Sequence, residues 1–330
     1  MNGSAQPLVS VLTPVYNGAR FLAECIESVL RQTYRNWEYI IVNNHSADAT
    51  LEIANAYARK DPRLRVYSNE QLLGVIANHN RAFRLISPDS AYCKVVSADD
   101  WLFPECLRCM VGLAEANPSV GIVGSYQLSG GGTRWSDWTV KWIQIPYCDG
   151  VFPGSEVGRL HLLGGIDVFG APTSLLYRAD LVRQHDCFYP NETAEADTSA
   201  CCRALQTTDY GFVYQVLSYE RVHTARVTTQ SQSLNAYLSS DISDLVEYGA
   251  SFLSREERQS RLTAMLDAYY RFLVISALKR REPAFWAYHR KRLAEIGQPL
   301  NYGRLGASVF KLLWDTIGQP ITMARRLQTR

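Results

Sequence analysis

No run of about eighteen apolar residues occurs in this chain, which argues against a membrane-spanning helix. Residues Met1 to Pro7 are polar and lack the basic and apolar blocks of a secretory leader. Two phosphate-binding glycine patterns are missing as well. No G-x-G-x-x-G follows the first apolar run, and no G-x-x-x-x-G-K-[ST] occurs anywhere, which removes the dinucleotide fingerprint and the phosphate loop. The eight cysteines include one C-x-x-C, Cys106 and Cys109, and the neighbours Cys201 and Cys202, without a second pair at metal-ligand spacing. Zinc is therefore not expected, and reduced thiols packed on helices are. No repeat or low-complexity tract appears. What remains is an ordinary globular composition, 47% hydrophobic and 20% charged, long enough at 330 residues for one large domain or two.

The net charge of +2 conceals an asymmetry. Residues 279–330 hold eleven Lys or Arg against three acids, an excess of eight that leaves the first 278 residues six negative. Such a tail suits an anionic partner such as a membrane surface, or a solvated helical surface.

Apolar runs and helical stripes alternate through the first third. Leu8 to Thr13 reads as a strand stopped by Pro14, and residues 19–31 as a helix carrying Phe21, Leu22, Cys25, Ile26, Val29 and Leu30. Strands follow at 37–42, 64–67 and 92–96, with helices at 74–86 and after Pro104. A further helix begins at an N-cap on Ser46 and reaches Lys60. This alternation predicts an α/β fold, a mostly parallel sheet flanked by helices. Ligands of such sheets bind beyond the carboxyl ends of the strands. Pro14 to Asn17, Asn43 to Ser46 and Asp99-Asp100 all fall there. The acidic pair closes the run Lys94-Val95-Val96-Ser97-Ala98, where carboxylates are costly unless a cation or sugar hydroxyls engage them. After Val120 the pattern loosens around Gly130 to Gly132 and the tryptophans 135, 138 and 142. A strand at 174–177, a helix at 195–206 and a strand at 212–217 follow. From about Leu234 the pattern is helical, with breaks at Pro283, Pro299 and Pro320. Two domains are expected, residues 1–232 and 233–330.

The order of motifs resembles glycosyltransferase family 2. Val9-Ser10-Val11-Leu12-Thr13-Pro14-Val15-Tyr16-Asn17 is similar to the family's opening strand. Ser28 to Tyr34 followed by Glu38 to Val42 extends the match, and Asp99-Asp100 falls at the D-x-D-type metal motif. The likeness covers about residues 7–225. It implies a GT-A fold, a metal-dependent enzyme, and inverting transfer of a sugar from a nucleotide-diphosphate donor. By position, Pro14 and Tyr16 would line the base pocket with Asn44 beside the uracil or equivalent base. Asp99 would bind the ribose, and Asp100 would hold Mn²⁺ or Mg²⁺ on the diphosphate.

The chain departs from the family pattern in three places. Asn43-Asn44 replaces Asp-Asp, Ser97 stands where many members carry Asp, and His79 stands where Arg is frequent. An amide still donates and accepts, whereas a neutral imidazole does not match a guanidinium. Past the acceptor loop Gly170-Ala171-Pro172-Thr173-Ser174, the motif Glu195-Ala196-Asp197-Thr198 opens a helix, which makes Asp197 the implied general base. Glu195 and Glu192 are the fallbacks. Arg221-Val222-His223 is similar to a late Arg-x-His motif and makes His223 a candidate metal ligand. Histidines 45, 161, 185 and 289 are given no role.

The expected partners are a UDP-sugar donor and a glycan or lipid-linked acceptor, in polysaccharide or glycolipid synthesis, with no nucleic acid. The stripe Val309, Phe310, Leu313, Trp314, Ile317 and Ile321, with Lys311, Arg325 and Arg326, fits an anionic membrane interface or a homo-oligomer contact. The expected location is cytoplasmic, either free or peripheral on the inner face of a membrane. Two other classes stay open. A sugar-nucleotide pyrophosphorylase would want a glycine-rich basic loop, which Pro14 to Gly18 does not supply. A non-catalytic glycan-binding or scaffold protein is kept open by Asn43-Asn44 and Ser97.

Overall fold

Strand β1 (Leu8–Val15) buries nearly every side chain, so both faces of the sheet around it must be covered. Helix α1 (Leu22–Leu30) covers one face, burying Leu22, Cys25, Ile26 and Val29 at helical spacing in one core with Val9, Val11, Tyr39 and Ile41. Helix α3 (Val75–Phe83) packs against β1 and β2 (Trp37–Asn43). In this computed structural model the described residues are 6–130, 138–141, 148–165, 169–193, 195–223, 234–279 and 281–317. The chain divides into two compact units, Met1–Arg226 and Val227–Arg330.

The first unit holds a ten-stranded sheet among the described residues. Strands β3 (Leu64–Ser68), β2, β1 and β4 (Ser90–Val95) run parallel in that spatial order. Strand β9 (Leu175–Arg178) then pairs antiparallel with both β4 and β6 (Val120–Gly130). Beyond β6 lies β10 (Asp209–Arg221), parallel to it. The two-residue strand β5 (Trp101–Leu102) lies antiparallel along the far end of β10. Thus the order is parallel, one reversed strand, parallel again. The reversal brings the turn before β9 to the carboxyl end of β4.

Several sequence expectations shift. Pro14 does not stop β1, which continues to Val15. Odd-numbered residues of β1 bond toward β2, as Val9 and Val15 do, while even-numbered ones face β4, whose pairing ends at Leu12 with Val95. Pro14 therefore points its missing N–H past the end of β4, where no ladder bond is lost. Ser46 does not cap α2 (Thr50–Ala58), which starts four residues later. Its hydroxyl instead accepts the Asn17 N–H at 2.9 Å, and Asp48 accepts the Thr50 N–H at 3.0 Å. Helix α7 (Ala196–Ala204) forms where expected, and β10 is longer than expected. Gly131, Gly132, Trp135 and Trp142 lie outside the described residues.

Lys94, the penultimate residue of β4, is fully buried. Its ammonium donates to the carbonyls of Thr173 at 2.5 Å and Leu175 at 2.9 Å. A charge inside a sheet is tolerated only with such partners, and these two clamp the single 3₁₀ turn Pro172–Ser174 onto the strand.

The second unit is helical: α8 (Ala236–Phe252), α9 (Arg255–Leu278), α10 (Pro283–Glu295) and α11 (Tyr302–Ile317). Pro283 and Gly297 mark helix ends as the sequence suggested; Gly297 takes φ of +73°. Ser254 and Glu257 add a reciprocal capping box that separates α8 from α9. His289 is buried against Phe272 and Phe285, its Nδ1 2.6 Å from the Tyr269 hydroxyl.

Two outcomes follow from these buried groups. Lys94→Met leaves two carbonyls without a donor and should lower the unfolding free energy by about 2–4 kcal/mol in urea titrations. Unchanged stability would mean that the clamp contributes nothing. Burial also pushes the His289 imidazole down to about 4 from 6.5. The unfolded chain then takes up the proton first as pH falls, so the helical unit should lose about 2–3 kcal/mol between pH 6.5 and 4. Thermal melts followed by circular dichroism should show this loss, and His289→Phe should flatten it.

Candidate active site

The loops after β1 and β2 are stitched to one another. Asn17 takes φ of +49°, and its side-chain oxygen accepts the Ala47 N–H at 2.9 Å. Gly18 N–H donates to Thr50 Oγ1 at 2.8 Å, and Ala19 N–H to Asp48 Oδ2 at 3.0 Å. A methyl group on Gly18 would meet Val15 at 2.5 Å and would lie 3.5 Å from Ala98, so this loop reaches the segment that carries the acidic pair. The three polar loops share one rim because β2, β1 and β4 are parallel neighbours. On that rim Pro14 is buried and Tyr16 is exposed.

Asn44 is buried and spends its amide inward. Its Nδ2 donates to Leu73 O at 2.9 Å, while Oδ1 accepts Leu73 N–H at 2.9 Å and Asn69 Nδ2 at 2.7 Å. This pairing with the Leu73 backbone copies the donor–acceptor pattern of a base edge. It fixes the loop before α3, with Asn69 also donating to Asn78 at 2.9 Å. A carboxylate at position 44 could not donate to Leu73 O, which gives the Asp-to-Asn departure a structural reason. Asn43 donates to Ser68 Oγ at 2.9 Å. His79 bonds the Val75 carbonyl at 2.9 Å and stacks on Tyr189.

The acidic pair splits into two different environments. Asp100, expected to hold the cation, is 1% exposed. Its Oδ2 accepts the Thr173 hydroxyl at 2.7 Å and its Oδ1 accepts the Arg221 N–H at 3.0 Å. Burial, and then the charge of Asp99, push its carboxyl up to about 7 despite those two bonds. Thr173 also accepts the Ser97 N–H at 3.1 Å, so one hydroxyl joins both ends of the motif. Asp99, expected at the ribose, keeps a carboxylate 28% exposed, with Oδ2 3.0 Å from His223 Nε2.

Strand β10 delivers the basic side of this arrangement. Tyr219 pairs with Trp101 and stacks on it, which sets the register of 219–223 against 99–101. Arg221 then donates from Nε to the Asp99 carbonyl at 3.1 Å, forms an ion pair with Glu24, and lies 4.4 Å over the Phe21 ring. Phe21 also backs the His223 imidazole at 5.3 Å. Two side chains unassigned in the sequence reading, Phe21 and Glu24, thus frame Arg221-Val222-His223. Their only signal was their place just after the β1 loop.

Asp197 lies in the first turn of α7 and is half-buried. Burial, and then the charge of Asp197, hold the Tyr189 phenol well above its ordinary range. Tyr189 in turn exchanges backbone bonds of 2.9 Å with the Asn80 side chain of α3. Glu192 is exposed, with its Oε2 3.6 Å from where a Cβ on Gly74 would lie. Glu195 is the residue preceding α7.

Asp99 and His223 supply one carboxylate oxygen and one imidazole nitrogen, a donor pair open to a divalent cation. Among the described residues no third acidic, histidine or cysteine side chain joins them, so such a cation would draw its other ligands from substrate oxygens or water.

Known proteins share this architecture. The model of glycosyl transferase family 2 matches residues 10–185, more than half of the chain. An uncharacterized glycosyltransferase of Haemophilus influenzae is 34% identical over 120 residues, 36% of this chain and 36% of that protein. The putative glycosyltransferase EpsE of Bacillus subtilis is 36% identical over 123 residues, 37% of this chain and 44% of that protein. The chain therefore matches less than half the length of these curated relatives. Among solved structures, S. aureus TarS 1–349 in complex with UDP-GlcNAc has a TM-score of 0.63 at 15% identity, covering 88% of this chain and 80% of that one. A mannosyltransferase of Pyrobaculum calidifontis, in complex with GDP-Man and Mn²⁺, has a TM-score of 0.52 at 16% identity, covering 94% and 88%. At those identities the likeness speaks for the fold, which is of the GT-A type with a helical C-terminal region. With the family model spanning both polar loops, the acidic pair and the turn at 172–174, the chain belongs to glycosyl transferase family 2.

Proposed function

We propose that this protein transfers a sugar, with inversion, from a nucleotide-diphosphate donor to a hydroxyl acceptor, using a divalent cation held by Asp99 and His223. The observation that carries this reading is the 3.0 Å approach of Asp99 Oδ2 to His223 Nε2 at the rim of the parallel strands. The cation moves from Asp100, where the sequence suggested it, to Asp99, because both Asp100 oxygens are already engaged below the surface. When bound, Mn²⁺ or Mg²⁺ would neutralise charge on the departing diphosphate. Asp100 then keeps the segment 97–100 in place, and Pro14, Tyr16 and Asn44 border the nucleotide side of the same rim. The UDP-GlcNAc complex of TarS makes uridine diphosphate sugars the first donors to screen.

Inverting displacement needs a group that takes the acceptor proton. Asp197 is the carboxylate for that role, half-buried in the first turn of α7. The half-buried setting limits water around it without removing it from solvent altogether.

Asp99→Asn should weaken manganese-dependent UDP binding by about tenfold or more, measured by titration calorimetry with and without chelator. Asp100→Asn, which can still accept from Arg221, should retain the manganese effect; the reverse pattern returns the cation to Asp100. Asp197→Asn should lower kcat by roughly 10²-fold or more while leaving UDP affinity unchanged. Near-normal turnover in that variant would pass the role to Glu195 or Glu192.

A further inference from the structure

The helical unit leaves one of its faces bare. Helix α11 is fixed to α9 by its inner side: Arg304 pairs with Asp267 at 3.8 Å, and Leu305, Ser308 and Leu312 are half-buried. At its start the Asn301 N–H donates to the Tyr270 hydroxyl at 2.6 Å, and Asn301 Oδ1 accepts the Arg304 N–H at 3.0 Å. The opposite side presents Tyr302, Val309, Phe310, Leu313 and Trp314, with Phe310 68% and Trp314 69% exposed. At about 100° per residue these five fall within one arc less than half the circumference. A Cβ on Gly306, in the same arc, would meet nothing within 4 Å. Large apolar side chains gathered on one outward face signal a missing partner rather than ordinary surface.

Charge selects the partner. Residues 279–330 carry eleven basic against three acidic residues, and 318–330 carry three arginines and no acid. A symmetric dimer through this face would bring two such cationic regions together, which is repulsive. An anionic lipid surface gains from the same charge. At 16 residues the helix is about 24 Å long, too short to cross a bilayer but suited to lying in its plane. We propose that α11 is an interfacial helix that seats this protein on an anionic membrane surface, with Phe310, Leu313 and Trp314 inserted and the exposed Lys311 of the same helix at the headgroups. This surface is separate from the proposed transfer chemistry, and its test reads lipid binding alone.

The full chain should co-sediment with vesicles of phosphatidylcholine and phosphatidylglycerol at low salt. Binding should fall about tenfold or more at high salt or on phosphatidylcholine alone. Phe310→Ser with Trp314→Ser should reduce it by a similar factor, with helicity and molar mass unchanged. If the double variant loses helicity, Leu313→Asn alone reads the same face. The proposal is overturned if the native chain ignores anionic vesicles at low salt, or if substituted chains bind as well as the native one. It is equally overturned if light scattering finds a dimer that the substitutions dissociate while vesicles are not bound, because the face then belongs to a second copy.

Discussion

The candidate site depends on one buried carboxylate. Asp100 lies below the rim with no exposed oxygen to spare, accepting from the Thr173 hydroxyl on one side and the Arg221 N–H on the other. Those bonds join three segments far apart in sequence: the end of β4, the turn before β9 and the end of β10. Lys94 reinforces the junction from below by clamping the carbonyls of Thr173 and Leu175. A buried acid and a buried ammonium are each expensive alone. Here each is tolerable because every polar atom has a partner.

This arrangement separates two duties that adjacent residues could be thought to share. The Asp100 N–H bonds the Ser97 carbonyl at 3.0 Å, so residues 97–100 form a turn, from which Asp100 is directed inward and Asp99 outward. The inward one holds the framework, and the outward one meets His223. A similar division holds at Asn43-Asn44, where Asn44 pairs with the Leu73 backbone and Asn43 reaches Ser68. Amides replace carboxylates there because a donor is required as well as an acceptor.

The helical unit follows different physics. Its ends are set by local chemistry, the Ser254–Glu257 capping box, Pro283 at a first turn and Gly297 past a last one. Its interior includes an imidazole among aromatic rings, whose protonation burial opposes. Its last described helix, α11, is packed against α9 on one side and apolar on the other.

Local pattern was enough for the parallel core. Apolar runs separated by helical stripes placed β1, β2, β3 and β4 and the helices between them, because burial on both faces leaves a continuous signature in the sequence. The same pattern put the polar loops at the strand ends, and the order of motifs carried the family. Helix boundaries were partly legible; the break at Pro283 is a helix start, whereas Ser46 resembled a cap but bonds the β1 loop. Tertiary structure alone decided which Asp of the pair faces outward, that Pro14 lies beyond the last β4 bond, and that Lys94 and Thr173 support the acidic segment. Each of these turns on partners that are between 73 and 124 residues away or on the reach of a neighbouring strand. A sequence displays the chemistry of each residue and the period of its neighbours; it does not display which distant backbone will satisfy a buried charge, because folding selects that partner by the geometry of the whole sheet.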